Sequence, residues 1–216
     1  MSASFHPIDD VLLAYAAGSL DQAMALLVAS HLTLCPRCRD EVARAEAVGG
    51  VLLDDLPPTD TALGLLDAVL ARLDEPAPAV PVSLPPPAPG SILPQPLRQS
   101  LGGDLDRVRW KRLGQGLEQA LVLQSGRSRA RLYRIAPGLR IPEHGHDGTE
   151  LTLVLQGGFS DLNGHYLAGD IACADDGVVH RPTADRDGYC LCLAVTDAPL
   201  RLTGLVGRLV SPFLNL

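Results

Sequence analysis

The chain has 216 residues, enough for one large or two small domains, with a formal net charge of −7 at pH 7 and a pI near 5.3. This acidic balance argues against direct binding of nucleic-acid phosphates and favours a partner with a basic surface. No apolar run reaches the ~18 residues of a membrane helix, and no leader pattern opens the chain. With an odd number of cysteines, we therefore expect a cytoplasmic protein whose thiols are free or metal-bound.

The first part of the chain, residues 1–74, reads as a helical domain. Apolar periodicity and helix start and stop signals predict four helices, over residues 7–18, 21–31, 36–48 and 59–73. A Gly-Gly pair is expected to end the third. The fourth carries leucines at near-heptad spacing and has no obvious partner within its own domain. It could dock on another protein or pack within its own bundle.

A group of metal-ligand residue types lies between the second and third predicted helices. His31 and Cys35 are one helical turn apart, and Cys38 follows three residues later. Pro36 suits the first turn of a new helix, whose free N–H groups favour thiolates. Three such ligands make up most of a tetrahedral zinc site, and His6 is the other histidine available in this half. We expect Zn²⁺ here, holding together a helical domain too thin to fold alone.

The Cys35-Pro-Arg-Cys38 segment also resembles a thiol–disulfide exchange motif. That chemistry requires a preceding strand in a βαβ setting. Here an Ala- and Leu-rich helical pattern precedes the first cysteine, and His31 occupies a ligand position. Metal binding is therefore favoured over redox catalysis.

Residues 75–98 are rich in proline and alanine, with three consecutive prolines at the centre. This composition gives extended, semi-rigid chain that buries little, so we interpret the segment as a linker between domains.

Residues 99–216 show short alternating runs separated by Gly, Pro and Asp turns, which is typical of an all-β domain. The clearest predicted strands are residues 131–135, 150–156 and 189–195. Many short antiparallel strands in this length favour a sandwich or a small barrel.

A second group of metal-ligand residues lies in this β region. His144 and His146 project to the same side of a strand, a turn can bring Glu150 back towards them, and His180 follows downstream. Three imidazoles and a carboxylate inside a barrel would bind a divalent metal. Spacing alone does not choose between zinc, iron, manganese and nickel.

The arrangement closely resembles the two cupin motifs. The first matches at every defining position, from Gly138 through the two histidines and the glutamate to Gly157. The second matches at Gly169, Gly177 and His180, whereas Asp175 replaces the usual proline and Ala184 the usual asparagine. The resemblance implies a cupin barrel that binds metal. A cupin that keeps these residues but works without metal is the alternative.

Three further cysteines and one further histidine lie outside these motifs. Cys190 and Cys192 share one face of a predicted strand and are interpreted as core residues, with oxidation sensing as the alternative. Cys173 is expected in the core, and His165 on the surface or in the core.

The two groups of metal-ligand residues together resemble those of the ChrR family of zinc-binding anti-sigma factors, which join a zinc anti-sigma domain to a C-terminal cupin. Matching stretches include 14–18, 30–35, 150–156 and 190–194, and only the linker and chain ends look unlike. The resemblance implies a cytoplasmic regulator that binds an extracytoplasmic-function sigma factor in a 1:1 complex, without direct nucleic-acid or membrane binding. It implies release under oxidative stress, including singlet oxygen.

The resemblance also assigns ligands. It implies structural zinc on His6, His31, Cys35 and Cys38, and a divalent metal, with zinc preferred, on His144, His146, Glu150 and His180. We therefore expect a non-enzymatic protein with a multidomain α plus all-β fold, a zinc-stabilised helical bundle followed by a cupin β-barrel. The alternative is a cupin dioxygenase or isomerase with a helical appendage. Direct DNA binding is disfavoured, because no basic recognition helix is present.

Overall fold

The computed structural model describes residues 3–76, 87, 90–198 and 200–202. Half of the predicted linker and the last 14 residues of the predicted cupin domain, 203–216, lie outside this range. Within it, no helix combines the length and apolar character that crossing a bilayer requires.

The described N-terminal region is helical, as predicted. Its helices are α1 (Asp9–Ala16), α2 (Gln22–Leu34), α3 (Pro36–Asp54) and α4 (Leu65–Ala71). Asp21 caps α2 by accepting hydrogen bonds from the N–H groups of Ala23 and Met24 at 2.8 and 3.1 Å. Cys35 is the one non-helical residue between α2 and α3, and Pro36 begins α3, where its missing N–H has no cost.

The largest differences from the predicted helix bounds are at the end of α3 and the start of α4. The Gly49–Gly50 pair does not end α3, which continues to Asp54 because the glycines stand at exposed positions where helical dihedrals remain available. The fourth helix is shorter than the predicted 59–73, since Gly64 takes a left-handed conformation with φ 77° and α4 starts after it.

The end of the predicted linker also differs from the expectation of extended chain that buries little. Residues Gln95–Leu101 form a fifth helix, α5, which packs beside α2. Leu93 and Leu97 are buried in the main core at 5 and 0% exposure. Composition missed this segment because two leucines that insert into a core outweigh the neighbouring prolines.

The C-terminal region is an antiparallel β-structure, as predicted. After a 3₁₀ turn at Leu105–Arg107, the described strands are β1 (Lys111–Gly114), β2 (Leu117–Ser125), β3 (Ser128–Ile135), β4 (His144–His146), β5 (Glu150–Gln156), β6 (Gly158–Ser160), β7 (His165–Leu167), β8 (Ile171–Ala174), β9 (Val179–His180), β10 (Thr183–Ala184), β11 (Cys190–Thr196) and β12 (Leu200–Leu202). The largest sheet has the order β1-β2-β3-β11-β5-β8, and two three-stranded sheets, β10-β6-β7 and β12-β4-β9, complete the described part of the barrel.

The helices pack directly on the barrel. Residues of α2, including Met24 and the fully buried Leu27, share one core cluster with Leu132, Leu153 and Leu193 of the large sheet. Burying a leucine completely contributes about 1.5–3 kcal/mol, so α2 is a stable part of this core. The two halves of the chain are therefore in physical contact.

Candidate metal centres

The four predicted N-terminal ligands come together in one cluster. His31 Nε2 lies 3.3 Å from Cys38 Sγ, and His6 Nδ1 lies 3.5 and 3.4 Å from the Sγ atoms of Cys35 and Cys38. One donor atom from each residue lies within 4.8 Å of all the others. A tetrahedral zinc ion with bonds of about 2.3 Å to sulfur and about 2.0 Å to nitrogen would space its ligands about 3.5 Å apart. The spacing therefore fits zinc.

Local structure explains how three of these side chains converge. His31 is in the last turn of α2, and Cys38 is in the first turn of α3, while Cys35 forms the junction. The Cys35 N–H still donates to the His31 carbonyl at 2.9 Å, which holds the junction close to the end of α2. The extended backbone of Cys35 (φ −114°, ψ 103°) ends α2, and both thiols lie within 4.8 Å of the His31 imidazole donor atom.

The orientation of His31 suits metal ligation. Its Nδ1 lies 3.0 Å from the Gly169 carbonyl oxygen, to which it can only donate. In the neutral ring this leaves the Nε2 lone pair facing Cys38. Metal-binding histidines are commonly fixed in this way, by a hydrogen bond from the second ring nitrogen.

Burial sets the protonation of the N-terminal cluster. It lowers the pKa of His31 to about 4 and, together with the nearby Arg37 charge, lowers the pKa of His6. Both imidazoles are therefore neutral donors near pH 7. Burial and the Cys35 thiol raise the pKa of Cys38 to about 12, so this thiol must lose its proton when it binds a cation.

The four predicted cupin ligands form the second cluster. His144 and His146 project from β4, His180 lies opposite His144 on the paired strand β9, and Glu150 begins β5. The Nε2 atom of His180 lies 3.0 Å from Nε2 of His144 and 3.1 Å from Nε2 of His146. A carboxylate oxygen of Glu150 lies 3.8 Å from His146 Nδ1. One donor atom of each residue again lies within 4.8 Å of the others.

Hydrogen bonds at the far side of two rings direct their lone pairs inward. His144 donates from Nδ1 to the Pro142 carbonyl at 2.8 Å, and His180 donates from Nδ1 to the Asp161 carboxylate at 3.1 Å. With Nδ1 donating in each ring, the Nε2 atoms face each other at hydrogen-bond distance, where an unprotonated Nε2 is an acceptor. Two facing acceptors repel unless a cation lies between them, so the donor set fits a divalent metal.

Burial also disfavours the charged forms of three side chains in the cupin cluster. Burial lowers the pKa of His146 to about 4 and lowers that of His144, and it raises the pKa of Glu150. Bringing a divalent cation into this environment would offset the cost of burying the carboxylate. Imidazole and carboxylate suit zinc, iron, manganese and nickel, so the chemistry of the ligands leaves the metal open.

A cavity of about 250 Å³ adjoins the cupin cluster. Its wall includes His144, Glu150 and His180, together with mostly apolar side chains such as Phe159 and Tyr133. The cavity is large enough for a small molecule beside the cluster.

The remaining thiols and His165 are located largely as expected. Cys190 and Cys192 are buried on one side of β11, and Cys192 also lines the cavity. The Cys190 thiol and burial raise the pKa of Cys192, which keeps it in the less reactive protonated form. Cys173 is partly buried, and His165 is a surface residue bonded to Asp185 at 2.8 Å.

Sequence reasoning missed the residues that support the ligands. Asp161 orients His180, and the Gly169 carbonyl orients His31. Gly169 was recognised as a cupin motif position but not as a neighbour of the N-terminal cluster. Asp161 carried no pattern that could have linked it to a histidine 19 residues away.

Comparison with known proteins gives three consistent findings. Residues 98–199 match the family described as the ChrR cupin-like domain. The chain is 43% identical over 220 aligned residues to the anti-sigma-E factor ChrR of Cereibacter sphaeroides, covering 100% of both chains. It is also similar to the crystal structure of Rhodobacter sphaeroides SigE in complex with the anti-sigma ChrR, with a TM-score of 0.79 and 42% identity. That match covers 90% of this chain and 99% of the other.

Proposed function

Because the chain belongs to the ChrR family of anti-sigma factors, we propose that it sequesters an extracytoplasmic-function sigma factor in the cytoplasm as a 1:1 complex. The helical domain, residues 1–74, makes the inhibitory contact and is held by zinc on His6, His31, Cys35 and Cys38. The cupin domain, residues 99–216, binds a divalent metal through its three histidines and Glu150. It releases the sigma factor under oxidative stress such as singlet oxygen.

The observation that carries this proposal is an unburied aliphatic surface on the helices. The second half of α3 and the whole of α4 keep large apolar side chains exposed in the described structure. Six side chains, each at least 50% exposed, are Val51, Leu52 and Leu53 of α3, Leu66 and Leu70 of α4, and Leu73 just after α4. Leu66, Leu70 and Leu73 have the spacing of one helix face. Exposed apolar faces of this kind mark protein-binding sites, and an amphipathic helix that lies in a partner's groove is a common form.

Metal binding would connect the first cluster to this surface. Cys38, a proposed ligand, lies on the first turn of α3, the same helix whose second half is apolar and exposed. Zinc on four protein ligands contributes folding free energy directly. Zinc would therefore fix the direction of α3, and with it the position of the docking surface.

The cupin cluster supports a different role. Its ligands carry no thiol, and the adjoining cavity gives a small molecule access to the cluster. Such a site is suited to reacting with or binding a small signal molecule rather than to stabilising the fold. The contact between α2 and the barrel gives a change in the barrel a route to the helices.

A second candidate function is a cupin dioxygenase or isomerase. The cavity beside the cupin cluster favours it, because cupin enzymes need space for substrate next to the metal. This function gives no role to the N-terminal cluster or to the exposed leucines. Turnover of a substrate by the full chain, without sigma-factor binding, would support it over the regulatory function.

The test is co-expression of the full chain with sigma factors from the same genome, followed by affinity capture. We expect a 1:1 complex with one extracytoplasmic-function sigma factor. Leu66→Asp combined with Leu70→Asp should weaken binding at least tenfold, since charge on a buried apolar contact is costly. Leu162→Asp is the matched control, because Leu162 is 90% exposed on the barrel and should be neutral. Equal loss from both variants would contradict α4 as the docking surface.

A further inference from the structure

The segment that precedes His6 is bound to the barrel at the turn between β7 and β8. Asp170, only 4% exposed, accepts hydrogen bonds through one carboxylate oxygen from the N–H groups of Ser4 and Phe5, at 2.6 and 3.0 Å. The Phe5 carbonyl in turn accepts from the Ile171 N–H at 3.1 Å. Residues 4 and 5 therefore lie against the start of β8, the edge strand of the large sheet.

The same turn contacts the other histidine of the N-terminal cluster. Gly169, next to Asp170, accepts the hydrogen bond from His31 Nδ1 at 3.0 Å. Its φ of 99° lies in a region that side chains rarely adopt, so glycine allows the carbonyl to take this orientation. Gly169 thus contacts the His31 ring directly. Asp170, the next residue, binds the two residues that precede His6.

Aromatic packing links this anchor to the cupin cluster. The ring centroids of Phe5 and Tyr166 are 4.6 Å apart, and those of Tyr166 and Phe159 are 5.0 Å apart. Phe159 lines the cupin cavity together with Asp161, the residue that holds His180. The contacts are continuous from the N-terminal cluster, across β6 and β7, to the cupin cluster.

We propose that the Gly169–Asp170 turn of the barrel positions the ligands of the N-terminal metal centre, so that the barrel sets how tightly this metal is held. The proposal rests on the metal ligation given above and deepens it with a means of regulation. Asp170 is a positioning residue, because it acts through Ser4 and Phe5 on His6 rather than on the metal. Loss of such support around metal ligands typically lowers metal affinity about 10–100-fold.

Cobalt titration of the metal-free full chain tests the proposal. A thiolate-to-cobalt charge-transfer band reports the N-terminal cluster, since the cupin cluster contains no cysteine. Asp170→Ala should weaken the affinity read from this band about 10–100-fold. Asp170→Asn keeps one carbonyl oxygen for Ser4 and Phe5, and its effect should be smaller. Cobalt binding without a thiolate band, at the cupin cluster, should stay unchanged in both variants.

Asp197 provides the matched control. Its carboxylate accepts a backbone N–H, that of Thr149 at 2.8 Å, beside the cupin ligand Glu150 and not beside the N-terminal cluster. Asp197→Ala should therefore leave the thiolate band at its wild-type affinity. A thiolate band weakened equally by Asp197→Ala and Asp170→Ala would overturn the proposal, because the effect would then be a general loss of barrel stability.

A second variant covers the case in which Asp170→Ala fails to fold, since Asp170 also accepts the Leu167 N–H at 2.8 Å. Ser4→Pro leaves the bond between Asp170 and Leu167 intact and removes the N–H that Ser4 donates to Asp170. Weaker thiolate–cobalt binding in folded Ser4→Pro supports the proposal, and wild-type binding overturns it. Wild-type binding by a folded Asp170→Ala chain overturns it as well.

These outcomes are separate from failure of the proposed function. If the wild-type chain gives no thiolate band, the ligand set is wrong and this inference falls with it. If the band is present and depends on Asp170 but no sigma factor is captured, the positioning role stands and the anti-sigma function is wrong.

Discussion

The two candidate metal centres each join four side chains, but they differ in donors and surroundings. The N-terminal cluster combines two thiols with two imidazoles at a helix junction, whereas the cupin cluster combines three imidazoles with a carboxylate beside a cavity. Two thiolates with a full set of protein ligands are typical of structural zinc, and imidazole–carboxylate sets commonly leave positions open. The difference supports the proposed division of roles, in which the N-terminal centre stabilises the helical fold and the cupin centre responds to the signal.

The two regions also differ in how much core they have without metal. The buried residues of the small core beside the N-terminal cluster are Leu12, Val28, Val42 and the two cysteines of the cluster itself. The barrel has an extended core of leucine, isoleucine and valine that continues across several strands. Metal removal should therefore affect the helices far more than the barrel.

The largest expected effect comes from breaking the N-terminal centre. Cys38→Ser should remove its metal and weaken sigma-factor binding at least 100-fold, because α3 loses its fixed direction. Metal analysis should show one ion fewer per chain, and calorimetric titration with the sigma factor should show the lost affinity. If a zinc-depleted Cys38→Ser chain still binds the sigma factor tightly, the N-terminal centre does not have the proposed structural role.

Breaking the cupin centre should have a different outcome. His146→Ala removes a buried ligand of the second cluster, so the chain should lose the cupin metal but still capture the sigma factor. Release on illumination with a singlet-oxygen photosensitiser should be lost. The measurement is the fraction of complex that remains after illumination, with the wild-type chain in parallel. Normal release by the variant would show that the signal acts elsewhere.

A moderate effect is expected from pH. The pKa of Cys38 is raised to about 12, so metal binding must displace its proton, and affinity at the N-terminal centre should increase about tenfold per pH unit from this thiol alone. His31, with a pKa of about 4, is already neutral at pH 7 and adds no proton to this balance. Cobalt titrations at pH 6.5, 7.0 and 7.5, about half a unit apart, provide the slope. A slope of zero would contradict ligation by the Cys38 thiol.

The smallest expected effect tests whether helix propensity, as well as metal binding, contributes to the stability of the helical region. Gly49 lies inside α3 at an exposed position with space for a methyl group. Gly49→Ala should raise the free energy of unfolding by about 0.5–1 kcal/mol, through the lower entropy of the unfolded chain. Chemical denaturation of the zinc-loaded chain measures this. A decrease in stability would mean that Gly49 does not have the helical environment described here.

Local spacing explains what could be predicted from the sequence. His31, Cys35 and Cys38 lie within eight residues at a helix junction, and His144 and His146 alternate along one strand. Such patterns depend on helix and strand periodicity, which can be read from neighbouring residues. The helical and β regions could be predicted for the same reason, and the described structure confirms both.

Contacts between distant parts of the chain could not be predicted. The hydrogen bonds from His31 to Gly169 and from Ser4 to Asp170 join residues 138 and 166 positions apart. The packing of Leu97 in one core with α2 is likewise a contact between distant parts of the chain. Leu97 belongs to α5, which lies at the end of the proline-rich segment. The sequence therefore indicated two separate metal centres, but not the turn that lies between them.

The central claim is that zinc at the N-terminal cluster gives the helices the shape that captures a sigma factor. The most direct measurement uses the full chain carrying His146→Ala, which retains only the N-terminal centre, and compares sigma-factor affinity before and after removal of zinc by a chelator. We predict at least a 100-fold loss on removal and full recovery when zinc is restored. Unchanged affinity of the folded, zinc-free chain would contradict the claim.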